Sequence, residues 1–173
     1  FDLSVTLEKK EYKRILPDLE LRIGELQRQA RELGIPVLIV FEGLEASGKG
    51  TLINKLILPL DPRGFQVHSI LPPNEEERLR PFLWRFWTRT PAKGRIAILD
   101  RSWYRRLLDD HIAGDVGRKG VAGIFDEINA FERQLADSGA VIVKFWLHIS
   151  RKVQARRFRK LEKAPATSWR GAK

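Results

Sequence analysis

The sequence contains no cysteine, which excludes disulfides, thiolate metal sites and cysteine nucleophiles. Its three histidines, His68, His111 and His148, lie far apart, which argues against a histidine-rich metal site. No apolar run approaches the roughly 20 residues that a membrane helix needs, so no membrane partner is expected. The first residues lack the layout of a signal peptide, and we therefore expect a cytoplasmic protein. Methionine is also absent, which indicates that the chain is not a complete translation product.

The length and composition are typical of one globular domain. The 173 residues suit one α/β domain and are too few for two ordinary ones. Hydrophobic residues make up 43% of the chain and charged residues 31%, so a sizeable core can form. We therefore expect a single domain over residues 1–173.

Positive charge is concentrated near one end of the chain. The whole sequence has 32 basic and 22 acidic residues, a net charge of +10. Residues 151–173 hold nine of the basic residues and one acid, a net charge of +8, which leaves +2 for the other 150 residues. Such a run is either a solvated helix face or a cationic arm that contacts an anionic partner.

Helical and strand patterns alternate along the sequence. Apolar residues recur at spacings of three and four over residues 8–33, where Pro17 is expected to bend or restart the helix. Continuous apolar runs predict strands at 37–41, 65–70, 95–99 and 141–149. Further helices are predicted at 49–58, 74–87, 102–111, 121–137 and 150–163. This alternation predicts an α/β fold with a parallel sheet covered on both faces.

The glycine-rich segment 43–51, called the phosphate loop below, has the spacing and the lysine of a P-loop. It lies between a predicted strand and a predicted helix, which is the context that such a motif requires. Glycines let backbone amides converge on phosphate oxygens, and Lys49 adds a full positive charge. Gly50 occupies the position where serine or threonine normally holds Mg²⁺, and Thr51 follows one residue late. The alternative is an ordinary glycine-rich turn between strand and helix.

Two acids accompany the phosphate loop. Asp100 ends a predicted buried strand, where open α/β sheets bind ligands, and beside phosphates it would hold Mg²⁺. Arg101 follows and could bridge phosphate oxygens. Glu45 would repel phosphate unless it shares Mg²⁺ with Asp100, and otherwise it is a solvent-facing acid of the loop. Asp100 could alternatively serve only as a helix cap.

Several segments together carry a family resemblance. They are residues 41–43, 48–51, 60–64, 81–87, 91–94, 100–104, 129–133 and 144–150. The sequence resembles the polyphosphate kinase type 2 family, whose members use polyphosphate to phosphorylate nucleotides. Asp-Arg-Ser-Trp-Tyr at 100–104 and the tryptophan-rich segment 81–87 are the specific parts of the match.

The resemblance implies a three-layer α/β/α, P-loop kinase-like fold. Its core sheet would lie within residues 36–150, and residues 151–170 would form a basic lid helix. The family domain usually continues through further helices after the point where this chain stops. The resemblance also implies Mg²⁺ as cofactor and a phosphoryl transfer between polyphosphate and AMP or ADP, with AMP favoured. A homo-oligomer is expected, and nucleic acid is not an expected partner.

Residue roles follow from the resemblance position by position. Lys49, Asp100, Arg101 and Glu45 would be the catalytic residues, and Asp100 and Glu45 would hold the metal. Glu45 stands where the family usually has aspartate. The residues that would bind phosphate or polyphosphate are Gly43, Ala46, Ser47, Gly48, Gly50, Thr51, Arg106, Arg156 and Arg157. Of these, Arg156 and Arg157 match arginines of the family's lid that clamp the transferring group.

Other interpretations stay open at this point. Trp84, Phe86 and Trp87 could form a nucleobase platform or pack in the core, and the core is favoured. Residues 72–74 could approach the acceptor nucleotide or form a turn with a helix cap. The alternative functions are an ATP-dependent nucleotide or small-molecule kinase and a non-catalytic module that binds polyanions or nucleic acid. Two acids aimed at a phosphate site favour an enzyme over such a module.

Overall fold

Four parallel strands form one sheet in the computed structural model of the chain, which describes residues 2–3, 5–107 and 118–163. The strands of this described part are β1 (Val37–Gly43), β2 (Phe65–Ser69), β3 (Ile96–Asp100) and β4 (Val141–Leu147). Their order across the sheet is β2-β3-β1-β4, and every neighbouring pair is parallel. The predicted parallel sheet is therefore confirmed.

The described helices follow the predicted alternation. They are α1 (Lys9–Glu32), α2 (Lys49–Ile57), α3 (Glu75–Arg78), α4 (Trp84–Trp87), α5 (104–107), α6 (Arg118–Asp137) and α7 (Arg151–Lys163), with a 3₁₀ turn at Pro62–Gly64. The helix predicted over 102–111 is described at 104–107, and residues 108–111 of that prediction, His111 among them, lie outside the described residues. The predicted lid helix is described as far as Lys163, so 164–170 lie outside as well.

Two helix predictions need correction, and both involve proline. Pro17 lies inside α1, which runs as one helix from Lys9 to Glu32, so the helix does not restart at this residue. The single helix predicted over 74–87 is two short helices, α3 and α4. Pro81 lies between them, and its missing N–H together with its ring prevents a continuous helix there.

Helices cover both faces of the sheet. On one face, Ile39 and Phe41 of β1 pack with Ile53 of α2. On the other face, Leu38 and Val40 pack with α6, whose buried residues are Ile124, Ile128, Phe131 and Leu135. This arrangement confirms the three-layer α/β/α architecture. Within the described residues, no helix combines the length and the apolar character that crossing a membrane requires.

The aromatic segment between β2 and β3 belongs mainly to the core. Phe86 is buried and meets Trp103 edge to face, with 5.7 Å between ring centroids. Trp87 meets Phe131 of α6 in the same way at 4.7 Å. Trp84 instead lies under the guanidinium of Arg80. The favoured core interpretation is thus confirmed for Phe86, whose ring fixes the segment against the turn that follows β3.

The sheet brings the two predicted site segments side by side. β1 and β3 are neighbours, and Phe41 is the register partner of Asp100. Because both strands are parallel, the phosphate loop after β1 and the turn after β3 leave the sheet at the same edge. We call residues 100–102 the acid turn below. The adjacency of phosphate loop and acid turn is what assembles the candidate site.

Candidate active site

The phosphate loop has three left-handed residues. The φ angles of Gly43, Ala46 and Gly48 are +127°, +56° and +104°. Gly43 tolerates no side chain, because a Cβ there would lie 2.1 Å from the carbonyl oxygen of Leu147 on β4. Within the described residues, the amides of Ala46 and Gly48 donate to no acceptor. Left-handed turns of this kind aim successive N–H groups into one concavity, which suits an anion.

The first turn of α2 supplies the rest of the loop's donors. Gly50 and Thr51 are exposed there, and the first amides of a helix have no partner within the helix. Ser47 is buried, and its Oγ has no hydrogen-bond partner within the described residues. The predicted phosphate-binding residues of the loop therefore lie at the N-terminus of α2, where the helix dipole favours negative charge.

Lys49 lies inside this loop. Its side chain is buried, and its amine donates to the carbonyl oxygens of Gly43 at 2.9 Å and Leu44 at 3.1 Å. Burial lowers the pKa of the Lys49 amine below its usual value, and the Asp100 carboxylate is the strongest charge that opposes this shift. The charges of Arg101, Glu42 and Glu45 also act on the amine. Lys49 is therefore the positive centre of a compact charged cluster.

Asp100 meets the requirements of a cation ligand. It ends β3 beside β1, and its Oδ1 is buried without a hydrogen-bond partner in the described part of the chain. A buried carboxylate oxygen without a partner carries a large desolvation cost, which a bound cation would offset. The described residues include no group of three or more metal-binding side chains. In phosphoryl-transfer sites Mg²⁺ is commonly held by one or two carboxylates, with phosphates and water completing the shell.

Glu45 and Arg101 form an ion pair across the site. Arg101 Nη2 lies 3.3 Å from Glu45 Oε1, and both side chains are about one third exposed. Arg101 has a φ of +71°, an unusual value for a residue with a side chain, and its amide donates to the Phe41 carbonyl at 2.9 Å. The pair holds the Glu45 carboxylate on the side of the acid turn. The sequence alone left open whether this acid faces solvent.

The basic helix α7 contacts the phosphate loop directly. Arg157 donates to the carbonyl oxygens of Ala46 at 2.9 Å and Ser47 at 2.7 Å. Gln154 donates to the Glu45 carbonyl at 3.0 Å. Arg156 is exposed and makes no hydrogen bond or ion pair within the described residues. The two predicted lid arginines thus differ, because only Arg157 reaches the loop.

A cavity of about 410 Å³ opens beside the acid turn. Ser102 lines it, together with Pro72, Pro73, Phe82, Arg85, Arg105 and Arg106. The guanidinium of predicted site residue Arg106 stacks on Phe82 at 4.6 Å and lies 3.7 Å from Glu127 of α6. Arg85 is buried, pairs with Glu77 at 3.3 Å, and has an Nε without a partner among the described residues. The cavity therefore joins apolar walls to several cationic groups.

The segment before α3 forms the predicted helix cap, and the same segment lines the cavity. Asn74 caps α3, since its side chain accepts from the Glu77 amide at 2.8 Å and Glu77 accepts in return from the Asn74 amide. Pro72 and Pro73 meanwhile line the cavity. A helix cap and a cavity wall are thus built from the same few residues.

Two acids near the acid turn, one buried and one partly buried, were not predicted as site residues. Glu42 is 4% exposed and accepts hydrogen bonds from both the amide and the hydroxyl of Ser102. Burial raises the pKa of Glu42, and its bonds to Ser102 oppose that shift. Glu132 of α6 accepts from Trp103, Tyr104 and Lys144. The signals available in the sequence for Glu42 were an acid directly after the apolar run of β1 and its place in the matching segment 41–43.

Comparison with known sequences shows which family the chain resembles. The sequence profile of the Polyphosphate kinase 2 family matches residues 6–173. Polyphosphate:AMP phosphotransferases of Pseudomonas aeruginosa and Pseudomonas syringae pv. tomato are 42% and 40% identical to the chain over 164 residues. The alignments cover 95% of this chain and 33% of each relative, so the chain spans about one third of their length. The NDP-polyphosphate phosphotransferase 3 of Ruegeria pomeroyi is 33% identical over 98% of this chain and 56% of its own.

Solved structures share the fold. Polyphosphate Kinase 2 from Arthrobacter aurescens TC1 matches with a TM-score of 0.91 and 27% identity, over 99% of this chain and 66% of that one. A structure assigned as polyphosphate kinase 2 of Pseudomonas aeruginosa PA01 matches with a TM-score of 0.89 and 41% identity, over 95% and 36% of the two chains. The family profile, the fold and the phosphate loop beside its acid turn agree: the chain belongs to the polyphosphate kinase 2 family.

Proposed function

We propose that this chain transfers a phosphoryl group between inorganic polyphosphate and a nucleoside monophosphate, with AMP as the acceptor that becomes ADP. One observation carries the proposal. The phosphate loop with Lys49 lies beside an acid turn in which Asp100 has a buried oxygen without a partner among the described residues. Loop amides and a lysine bind phosphate, whereas an acid aimed at the same place is useful only with a cation that offsets the substrate's charge.

The two substrates would occupy different parts of this site. The phosphate loop would hold the end of the polyphosphate chain. The cavity beside Ser102 would hold the nucleotide, since its 410 Å³ volume lies in the range of about 300–1,000 Å³ that is usual for small-ligand sites. Its arginines would pair with the nucleotide phosphate, and Phe82 with the prolines would contact the base.

The reaction breaks one phosphoanhydride bond and forms another. An oxygen of the AMP phosphate attacks the terminal phosphorus of polyphosphate, and the bond between that phosphorus and the rest of the polymer breaks. The products are ADP and a polyphosphate shortened by one unit. Lys49 and Arg101 stabilise the negative charge that spreads over the transferring group. Mg²⁺ held by Asp100 and Glu45 would neutralise phosphate charge, as divalent metals do in phosphoryl transfer.

Relatives support AMP over ADP as the acceptor. The compared relatives named polyphosphate:AMP phosphotransferase are 40–42% identical to this chain. Those named for ADP, GDP or NDP are 29–33% identical. A cytoplasmic location and a homo-oligomeric state stay predictions, and light scattering after gel filtration would measure the second.

A direct assay tests the function. Purified protein is given polyphosphate and Mg²⁺ with AMP or ADP separately, and nucleotide products are separated by chromatography. We expect ADP to form from AMP faster than ATP forms from ADP, and the Lys49→Ala variant reveals any contaminating activity. Transfer from ATP but not from polyphosphate would make this an ATP-dependent kinase. Polyphosphate binding without any transfer would favour the non-catalytic module.

Glu45 allows a test of the metal site. Glu45→Gln removes one of the two carboxylates proposed to hold Mg²⁺. The Mg²⁺ concentration that gives a half-maximal rate should therefore rise. Glu45→Asp keeps the charge and restores the family's usual residue, and it should retain or improve activity. Because Glu45 also pairs with Arg101, Arg101→Lys is the control that alters this ion pair without removing a carboxylate. An unchanged Mg²⁺ dependence in Glu45→Gln would exclude a metal-binding role.

The two arginines of α7 provide a matched pair. Arg157→Ala removes both bonds to the phosphate loop and should lower kcat by about tenfold or more, since a hydrogen bond from a charged donor contributes ~1.5–3 kcal/mol. Arg156→Ala removes the same charge one residue away, and it should act mainly through KM for polyphosphate and flatten its salt dependence. Equal effects of the two variants on kcat and KM would show that α7 contributes charge alone.

A further inference from the structure

A buried carboxylate holds the acid turn in place. Glu42 Oε1 accepts from the Ser102 amide at 2.6 Å and from the Ser102 hydroxyl at 2.8 Å. Both residues are almost fully buried, with 4% and 1% of their surface exposed. Two donors on one carboxylate oxygen define both the distance and the direction of the contact, because charge-assisted bonds of this kind are short and strong.

The turn needs such a restraint because of its backbone conformation. Arg101 has a φ of +71°, which residues with side chains seldom adopt unless their surroundings enforce it. Its own amide donates to the Phe41 carbonyl, and the next amide, that of Ser102, donates to the Glu42 side chain. Two consecutive residues of β1 therefore hold two consecutive amides of the acid turn. These two bonds hold the turn that follows Asp100 against β1.

Glu42 also connects the acid turn with the phosphate loop. Its main chain leads directly into Gly43, and the Lys49 amine donates to the carbonyls of Gly43 and Leu44. The Glu42 side chain thus binds the acid turn, and the two residues that follow Glu42 supply the carbonyl groups that bind Lys49. Glu42 therefore lies between the carbonyl groups that bind Lys49 and the turn that follows Asp100.

We propose that Glu42 is a positioning residue for phosphoryl transfer, whose carboxylate fixes Asp100 and Arg101 relative to the phosphate loop. The inference rests on the proposed function, because it assigns Glu42 a role in that reaction. Glu42 itself would not touch the substrate, since its carboxylate is buried and bound to Ser102. A displacement of about 1 Å at a reacting group can cost 10²-fold in rate, so a loosened acid turn should show in kcat.

Three variants test the kinetic part. Glu42→Ala removes both bonds and should lower kcat by about 10²-fold with little change in KM for polyphosphate. Glu42→Gln keeps an oxygen that can accept from Ser102 and should restore most of the lost rate. Ser102→Ala removes only the hydroxyl bond and should lower kcat several-fold. If Glu42→Ala does not fold, an unchanged kcat in Ser102→Ala would by itself overturn the proposal.

Gln27 supplies a matched structural control. It is also a buried polar side chain, and it makes two hydrogen bonds to the backbone of Asp61, away from the acid turn. Gln27→Ala should lower Tm as Glu42→Ala does, while kcat stays at the parent value. If both variants lose equal stability and neither loses kcat, Glu42 is only a structural residue and the proposal is wrong.

Amide hydrogen exchange provides a readout that does not need activity. The Ser102 amide should exchange faster in Glu42→Ala and remain protected in Glu42→Gln and Gln27→Ala. Unchanged protection in Glu42→Ala would overturn the proposal even if kcat fell. An inactive parent would contradict the proposed function, whereas the exchange experiment would still decide whether Glu42 holds the acid turn.

Discussion

Lys49→Ala is expected to lower kcat for nucleotide phosphorylation by about 10²–10³-fold, the effect typical of losing one preorganised donor to a transition state. Lys49 is buried inside the phosphate loop; burial lowers its pKa, and among the charges that act on it the Asp100 carboxylate opposes this shift most strongly. Its charge is needed most when negative charge spreads over the transferring group. The measurement is single-turnover and steady-state kinetics with polyphosphate and AMP, together with Tm.

Lys55 is the matched control for this prediction. It lies on the same helix, α2, and donates to the hydroxyl of Tyr12 on α1 at 2.8 Å. Lys55→Ala removes the same charge and the same side-chain length as Lys49→Ala. Because Lys55 faces α1 and not the phosphate loop, this variant should keep kcat near the parent value. Near-parental turnover in Lys49→Ala, or an equal loss in Lys55→Ala, would show that the phosphate loop is not the reaction centre.

Asp100→Asn should lower kcat by a similar factor of about 10²–10³ while leaving the protein at least as stable as the parent. The substitution keeps the shape of the side chain and removes the charge that would hold the cation. Its Oδ1 is buried without a partner in the described residues, so the native carboxylate is costly to the fold. A loss of rate without a loss of Tm is therefore the expected combination.

Asp61 provides the comparison for Asp100. Its carboxylate caps the 3₁₀ turn and pairs with Arg63, which holds the pKa of Asp61 at about 2. Asparagine also caps such turns, so Asp61→Asn should change neither kcat nor the Mg²⁺ requirement. If Asp100→Asn keeps full activity at low Mg²⁺, the carboxylate would be a structural cap, as the sequence alone allowed.

The order of strands and helices could be predicted from local patterns. The apolar run of β1 is continuous because both faces of that strand are covered, by α2 on one side and α6 on the other. Local sequence patterns did not predict how two prolines affect the helices around them. Pro17 is tolerated inside α1, whereas Pro81 separates α3 from α4. Proline is compatible with one helix and interrupts the other because the free energy it costs depends on the length and packing of the helix around it.

Some parts of the candidate site could also be predicted from the sequence, and others could not. The phosphate loop and the acid turn are contiguous motifs, so their residue types and spacing were readable before any contact was known. Glu42 was not readable as a site residue, since its partner Ser102 is 60 residues away. Gln154 and Glu45 are 109 residues apart, and only folding brings helix α7 onto the loop.

By itself, the sequence determined the parallel α/β architecture, the phosphate loop with Lys49, and the presence of Asp100 at a strand end. These features depend on neighbours within a few residues, where glycine, charge and apolar spacing act directly on the backbone. Only the tertiary structure decided that Arg157 rather than Arg156 touches the loop, that Glu45 pairs with Arg101, and that Glu42 holds Ser102. Those choices depend on the register of β1 and β3 and on the rotational position of α7, which distant segments set through packing.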